Sequence, residues 1–287
     1  MVPVLASLAA LALAGALALE LVVRRRRLAD YPPYVRDPDI GYRFRPGASG
    51  LKSGRHRWRY NAHGLRTDRD EAPGSGAVLL VGDSIVDGGA NVDQADTVGV
   101  HLEELTGLAV HPLGGGGWSL ENELAFLRRH PHLLDAETLV FVTNSDDLVA
   151  LNRWSSPSTH PLGRPFSHAA YLARRATYMH RHLLLQRFTG VPVAPEPADA
   201  WRGSLAALLP RIADKRVIWA FHPTAAETAA GTRPCAALRP LLPREIETVE
   251  IGALTDWGAD CYDDHIHPSH KGRVLVASAI AARLLQG

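Results

Sequence analysis

From Ala77 onward, short apolar runs alternate with segments of helical periodicity, and this alternation restricts the possible folds more than any other feature. AVLLV at residues 77–81 is an uninterrupted apolar run, as expected for a strand buried on both faces. Four later segments also predict strands: LAVHPL at 108–113, ETLVFVT at 137–143, RVIWAF at 216–221 and IETVEIG at 246–252. Strands that alternate with helices predict an α/β domain whose parallel sheet carries helices on both faces.

Three segments around these runs predict helices. DTVGVHLEELTG at residues 96–107 ends in a glycine, where a helix C-cap is expected. SLENELAFLRRH at 119–130 places Asn122 where a full capping box has Glu or Gln, while Glu121 and Glu123 suit a first turn. The closing stretch HKGRVLVASAIAARLLQ repeats apolar residues at helical spacing.

The beginning of the chain differs sharply from the rest. Residues 2–19 carry no charge, and the apolar run resumes after Glu20 until RRRR at residues 24–27. At ~1.5 Å per residue this segment is long enough to cross a hydrocarbon core of ~30 Å. A cleaved signal peptide and a buried soluble helix are the alternatives. The absence of a basic segment before the run and the abrupt arginines after it favour a single transmembrane anchor over residues 1–27.

The distribution of charge predicts the orientation of the anchor in the membrane, and the net charge argues against nucleic acid as a partner. Positive residues lie only on its C-terminal flank, which favours a cytoplasmic location for the following domain, with a periplasmic location as the alternative. The formal net charge of +1 does not provide the broad basic field of a nucleic-acid-binding protein. Membrane association through the N-terminal helix is therefore expected, and nucleic-acid binding is not.

Composition shifts divide the remaining chain into two parts. Residues 28–76 begin with a Pro-rich stretch that predicts an extended tether, followed by Gly- and Asn-broken alternation that predicts a small β-hairpin. Residues 77–287 form the α/β domain, with a helical insert at about 147–215. Within the insert, 168–188 predicts an amphipathic helix. We interpret it as a covering helix, with a lid or a membrane-surface helix as alternatives.

Few residues are available for thiol, zinc or Schiff-base chemistry. Cys235 and Cys261 do not form a CxxC motif, a zinc cluster or a disulfide framework. Whether they pair with each other depends on geometry that spacing does not give. Lys271 is the only lysine near a suggestive motif.

Polar residues follow three of the predicted strands. Ser84 in GDS comes directly after the first strand, GGGGW at 114–118 follows the second, and Asn144 follows the third. Because ligands gather at the carboxyl ends of strands in open α/β sheets, these residues could offer a nucleophile and oxyanion donors. The structural alternatives are a helix N-cap for Ser84, a flexible turn for the glycines and an Asx-turn for Asn144.

YDDHIHPSHKG, just before the last helix, places Asp264 three residues before His267. An aspartate at this spacing can fix the tautomer of a histidine that acts as a base through its other nitrogen. A metal site would instead use His265, His267 and His270 with Asp263 or Asp264. No second ligand cluster is visible in the sequence, and Pro268 interrupts helical ligand spacing, so the acid–base interpretation is favoured.

In this order, these motifs resemble the four blocks of the SGNH (GDSL-like) hydrolase superfamily, over residues 77–287. The matching residues are Gly82-Asp83-Ser84, Gly117 in GWS with Gly114 as the alternative glycine, Asn144, and Asp264 with His267. DIGYRFRPG and NAHGLR also resemble the N-terminal extension of many bacterial members. The block around Asn144 departs from the family pattern, since Val142 stands where Gly is usual and Ser145 where Asp is usual.

The resemblance implies a three-layer α/β/α fold with a mainly parallel, flavodoxin-like sheet of five strands. It implies a serine esterase in which Ser84 is the nucleophile, His267 the base and Asp264 its support. Ser84, Gly117 and Asn144 would form the oxyanion hole, and no cofactor or metal is required. Small-molecule, lipid and glycan esters all remain open as substrates, and so does the oligomeric state. An O-acyltransferase of envelope glycans, a metal-dependent hydrolase and a non-catalytic membrane-tethered binding protein are the alternatives.

Overall fold

The computed structural model describes residues 2–189 and 199–286, and its first element is a long N-terminal helix. This helix, α1 (Val2–Arg25), has a mean hydropathy of 2.2 over its most apolar window, of which only 6% is buried. Its length and composition suffice to cross a membrane, although a signal sequence would meet the same criteria. The expected apolar helix is therefore present.

Two antiparallel hairpins follow α1. The first joins β1 (Tyr34–Asp37) to β2 (Gly41–Phe44), and the second joins β3 (Ser49–Lys52) to β4 (His56–Arg59). The first hairpin begins within the segment predicted as an extended tether. Aromatic packing accounts for this, because the ring centroids of Tyr34 and Phe44 lie 4.5 Å apart across the pair.

The five predicted apolar runs form one parallel sheet. Its strands are β5 (Ala77–Val81), β6 (Ala109–Leu113), β7 (Thr138–Thr143), β8 (Arg216–Phe221) and β9 (Glu247–Glu250). They lie in the order β6-β5-β7-β8-β9, and each neighbouring pair is parallel. This order is that of a flavodoxin-like sheet, with β5 and β7 side by side at the point where the strand order reverses. The predicted α/β fold class is confirmed.

Helices cover both faces of the sheet. After α1, the α-helices are α2 (Ser84–Asp87), α3 (Val98–Thr106), α4 (Leu120–Arg129), α5 (His168–Thr189), α6 (Ala200–Leu208), α7 (Ala225–Ala230) and α8 (His270–Leu284). Among them, α5 packs against α1 rather than in either core of the sheet domain. Alternate residues of each strand enter two separate cores. Leu80 and Val140 pack with α3 and α8, whereas Leu79 and Phe141 pack with α4 and α6. The predicted three-layer α/β/α arrangement is therefore confirmed.

The hairpins complete the second of these cores. Tyr42, Phe44, Trp58 and Tyr60 are buried in the same cluster as Phe141 of β7. The structure thus packs the N-terminal extension on the sheet domain, whereas the predicted domain boundary near residue 76 stays a prediction.

Capping residues stand at both ends of α3 and at the start of α4. Thr97 caps α3, and Gly107 ends it with φ of 71°. At α4, Asn122 takes the place of Glu or Gln, since its Oδ1 accepts the Ser119 N–H at 3.0 Å. The partial capping box therefore works as a full one.

The structure contains the helix that was predicted within the insert. The amphipathic helix predicted at 168–188 is α5, while residues 190–198 of the insert lie outside the described part of the chain.

Cys235 and Cys261 are both buried and free, so the pairing that the sequence left open does not occur.

Candidate active site

Ser84 stands at the carboxyl end of β5 and opens the short helix α2. Asp83 caps this helix, and its Oδ1 accepts the Ile85 N–H at 2.8 Å. The turn passes so close to its neighbours that a Cβ on Gly82 would lie 2.6 Å from the Val86 side chain and 2.9 Å from the Val142 carbonyl. Only glycine fits there, and the tight turn presents the Ser84 hydroxyl at the edge of the sheet.

The Asp264–His267 pair lies on the loop before α8. Asp264 Oδ1 accepts the Ile266 N–H at 3.0 Å and the His267 N–H at 2.9 Å. The other oxygen, Oδ2, lies 2.7 Å from His267 Nδ1. One carboxylate thus organises the turn and orients the imidazole ring at the same time.

The loop brings His267 to Ser84 across 183 residues of sequence. The distance from His267 Nε2 to Ser84 Oγ is 2.9 Å, whereas Oγ lies 3.3 Å from Asp83 Oδ2. A proton on Nδ1, facing the Asp264 carboxylate, leaves Nε2 free to accept a hydrogen bond from the Ser84 hydroxyl. The three predicted residues therefore form a continuous chain from carboxylate to imidazole to hydroxyl.

The Asp264 carboxyl is held in its ionised form. Burial alone would raise its pKa, but the N–H groups of His267 and Ile266 and the ring of His267 lower the pKa to about 2. At neutral pH the group is a carboxylate that can support positive charge on the imidazole.

The glycine run at residues 114–117 packs against the turn that carries Ser84 and extends to the cavity. A Cβ on Gly114 would lie 2.5 Å from the Asp83 carbonyl, so Gly114 lies against the backbone of that turn. Gly116 and Gly117 line the cavity in front of Ser84, and Gly117 has φ of 73°. Of the two candidate glycines, Gly117 is therefore the one placed at the cavity.

Asn144 is buried directly after β7. Its Oδ1 accepts the Asp146 N–H at 2.8 Å, which is the Asx-turn that the sequence left open. Its Nδ2 donates to Asp147 Oδ2 at 2.8 Å and lies 3.4 Å from Asp83 Oδ2. The described residues around the cavity include Asp146 and Asp147 but not Asn144. In this conformation both amide hydrogens face carboxyl groups.

Three buried carboxyl groups surround this region, a feature that the sequence did not reveal. Burial raises the pKa of Asp83, and burial with mutual repulsion raises the pKa values of Glu123 and Asp147 well above their ordinary range. Both carboxyl oxygens of Glu123 lack a hydrogen-bond partner. Glu121 and Glu123, the acidic residues of the segment ENE, were expected in the first turn of a helix. Only the packing of α4 against β5 and β7 shows that Glu123 is enclosed.

The cavity in front of Ser84 has a volume of about 540 Å³, within the ordinary range of ~300–1,000 Å³ for small-molecule sites. Its walls include Tyr31, Pro32, Trp118, His160, Arg175 and Met179. Burial lowers the pKa of His160 to about 4, so this wall residue is neutral at physiological pH. The walls thus combine aromatic rings with one arginine from α5.

The alternative metal ligands do not converge. His267 lies between Asp264 and Ser84, while His270 Nδ1 contacts Asp96 at 2.6 Å. Among the described residues, the group whose geometry could hold a metal ion is Asp96, His101 and His270. Arg273 also donates to Asp96, so a cation already neutralises that carboxylate. The metal site predicted as an alternative from His265, His267 and His270 is therefore not assembled.

No family model and no curated protein matched the chain. Among solved structures, it is similar to an α/β hydrolase from the metagenome of Lake Arreo, with 16% identity over 74% of this chain and 95% of that one, at a TM-score of 0.45. It is also similar to a variant of an acetyl-xylooligosaccharide esterase from Geobacillus, with 15% identity over 75% and 96%, at a TM-score of 0.45. A third is a GDSL-like lipase from Bacteroides thetaiotaomicron, with 14% identity over 74% and 88%, at a TM-score of 0.39.

Proposed function

We propose that this protein is a serine esterase of the SGNH type, which hydrolyses carboxylic esters through Ser84, His267 and Asp264. The observation that carries the proposal is the pair of short contacts from Asp264 to His267 and from His267 to Ser84, at 2.7 and 2.9 Å. A cavity of about 540 Å³ lies directly in front of the serine. Nucleophile, base and orienting carboxylate in this geometry are the requirements of acyl transfer through a covalent ester.

In the first half of the reaction, Ser84 Oγ attacks the ester carbonyl carbon while His267 Nε2 takes the hydroxyl proton. The tetrahedral intermediate collapses, its bond to the alcohol oxygen breaks, and His267 returns the proton to the leaving alcohol. Water then attacks the acyl-serine with the same assistance from His267, which releases the carboxylic acid and restores the serine. Asp264 stays ionised throughout and stabilises the imidazolium.

We assign the oxyanion hole to the N–H groups of Ser84 and Gly117 and to the side-chain amide of Asn144. The amide hydrogen that faces Asp83 at 3.4 Å makes the weaker of the two Asn144 contacts. It is the hydrogen that would turn to a developing oxyanion, because a charge-assisted hydrogen bond is stronger than a long contact.

The nucleophile is tested by Ser84→Ala, with Ser204→Ala as the matched loss of a hydroxyl outside the cavity. Turnover of p-nitrophenyl acetate and labelling by a fluorophosphonate probe are expected to disappear in the first variant and to persist in the second. Chelation with EDTA is expected to leave the rate unchanged. Unaltered turnover by Ser84→Ala would refute the assignment, and a chelator-sensitive rate would favour a metal-dependent hydrolase.

We also propose that α1 anchors the esterase in a membrane, with the catalytic domain on the cytoplasmic side. The length of α1, its exposed apolar surface and the flanking residues 24–27 support this arrangement. An anchored protein is expected to resist extraction by alkaline carbonate and to dissolve in detergent. A protein shortened by cleavage after α1 would instead be soluble.

A further inference from the structure

The C-terminal part of α1 is joined to α5 by a partly buried capping interaction. Glu20 of α1 accepts hydrogen bonds from the Ser167 hydroxyl and from the N–H groups of His168 and Ala169, each at 2.9 Å. These two N–H groups belong to the first turn of α5, whose free donors favour a carboxylate. The start of α5 is therefore fixed beside the last turns of the proposed anchor.

A small apolar cluster reinforces the junction. Val23 and Ala29 pack against Tyr171 of α5, separately from the two cores of the sheet domain. The ring of Tyr31 lies 5.8 Å from that of Tyr171. This contact extends from the end of α1 along the first turns of α5.

The loop before α5 carries exposed apolar and basic side chains at this junction. Phe166 is 96% exposed, Leu162 is 36% exposed, and Arg164 between them is exposed. Arg24 of the basic flank donates to the Phe166 carbonyl. An exposed aromatic ring among arginines, beside a transmembrane helix end, matches the composition of segments that lie among lipid headgroups.

The same elements lead directly to the catalytic cavity. Tyr31, which follows the basic flank, and His160, which precedes the loop, both line the cavity that contains Ser84. His160 and Leu162 are two residues apart, so their Cα atoms are separated by at most ~7 Å. From the other side, α5 contributes Arg175 to the cavity wall. The exposed loop therefore begins within two residues of the cavity wall at His160 and leads into the helix that carries Arg175.

We propose that loop 161–167 is a second membrane contact, which holds the mouth of the Ser84 cavity at the headgroup level of the bilayer. The substrate is then an acyl ester of an amphiphile held in that bilayer. This inference rests on the proposed esterase function for its substrate, but the membrane contact of the loop is independent of catalysis. Continuity with α1 and the positive charge of the loop and flank favour an anionic lipid surface as the occupant.

The contact is tested with the full chain in nanodiscs that contain anionic phospholipid. Phe166→Cys is labelled with an environment-sensitive fluorophore, which is selective because Cys235 and Cys261 are buried. Asp135→Cys is the matched control, since it is exposed beside the opposite, amino-terminal edge of the sheet. Lipids with a nitroxide near the headgroup are expected to quench the probe at 166 strongly and the probe at 135 weakly. Equal quenching at both positions overturns the membrane contact.

The substrate class is tested by turnover in the same nanodiscs and in water. Replacing Phe166 and Arg164 by Ser is expected to lower hydrolysis of a bilayer-held fluorogenic acyl ester by roughly fivefold or more, because lost apolar burial weakens interfacial seating. Hydrolysis of p-nitrophenyl acetate by the same variant is expected to stay at the parental rate. An unchanged rate on the bilayer-held ester overturns the lipid substrate. The same conclusion follows if the protein hydrolyses a soluble acetylated oligosaccharide faster and the substitutions do not change that rate. If the parental protein hydrolyses no ester, the proposed function fails, while the quenching result still decides the contact.

Discussion

Asn144 occupies a buried position in which each of its polar side-chain atoms has a partner. Its amide donates to Asp147 at 2.8 Å and faces Asp83 at 3.4 Å, while its oxygen completes the Asx-turn. The residue is therefore oriented by carboxyl groups rather than by loose packing. The proposed oxyanion role therefore requires the amide hydrogen that faces Asp83 to turn away from that carboxyl group.

Asn144→Ala is expected to lower kcat by about 10²–10³ with a smaller change in KM, because one oxyanion donor is lost in the transition state. Steady-state kinetics on p-nitrophenyl acetate measures this effect, and thermal unfolding of the variant separates it from loss of the fold. A folded variant with kcat within about threefold of the parent would remove Asn144 from the oxyanion hole.

Glu123 offers a second test at the residue scale, through pH. Because burial raises its pKa well above 4.5 in the folded protein, the folded state keeps a proton that the unfolded state loses as pH rises above that value. Stability contributed by this position therefore falls with rising pH. Glu123→Gln keeps the shape and removes the titration.

We expect Glu123→Gln to raise the free energy of unfolding at pH 8 by on the order of 1 kcal/mol or more, with little change at pH 4. Urea unfolding at several pH values measures the difference, and Glu245→Gln is the control at an exposed carboxyl. Equal effects of the two substitutions, or a loss of stability at pH 8, would contradict the raised pKa.

At the scale of elements, Arg66 connects the N-terminal extension to α2, the helix that Ser84 opens. This guanidinium is 1% exposed, donates to the carbonyls of Asp87, Gly89 and Val92, and lies 3.9 Å from the Asp87 carboxylate. Asp87 closes α2, three residues after Ser84. The extension therefore supports the turn that presents Ser84, the proposed nucleophile.

Arg66→Met is expected to lower the free energy of unfolding by about 3–5 kcal/mol, because a buried carboxyl and three carbonyls lose their partner. Arg57→Met removes the salt bridge with Asp68, in which the two side chains are 47% and 55% exposed. This substitution is expected to lower the free energy of unfolding by less than about 1 kcal/mol. Chemical unfolding compares the two variants. Equal losses would mean that Arg66 does not clamp α2.

At the scale of the whole molecule, Glu20 links the proposed anchor to the insert. Because α5 begins on this carboxylate, the cavity wall formed by α5 depends on a residue of α1. Removal of α1 would therefore alter a wall of the cavity in front of Ser84 as well as remove the proposed anchor.

Glu20→Ala is expected to speed amide exchange in the first turn of α5 by about fivefold, since loss of a cap costs about 1 kcal/mol. Hydrogen exchange read by mass spectrometry on the full chain in nanodiscs measures the change. Helix α8 serves as the internal control, because it has no contact with Glu20. Unchanged exchange at residues 168–171 would show that the cap does not hold α5.

Local chemistry made much of the fold readable from the sequence. The run that became β5 was apolar throughout, the run that became β8 was apolar after Arg216, and Gly107 marked the end of α3. The pairing of Asp264 with His267 was predictable for the same reason, since three residues of one turn separate them. Patterns of this kind depend only on neighbours in the chain.

Other contacts could not be read from the sequence. ENE was consistent with a solvated helix start, yet Glu123 is enclosed between α4 and the sheet. Nothing near Glu20 indicated that its partners would lie almost 150 residues away, in the first turn of α5. These contacts join segments whose relative positions are set only when both pack on the sheet.

The sequence by itself determined the strands, most helices, the apolar N-terminal segment and the chemical type of each candidate catalytic group. Only the tertiary structure decided that His267 reaches Ser84 at 2.9 Å, that Gly117 rather than Gly114 borders the cavity, and that His270 contacts Asp96 instead of joining His265 and His267. The physical reason is the range of the interactions. Hydrophobic periodicity and capping act within a few residues, whereas a catalytic distance depends on the register of a whole parallel sheet and the loops that leave it.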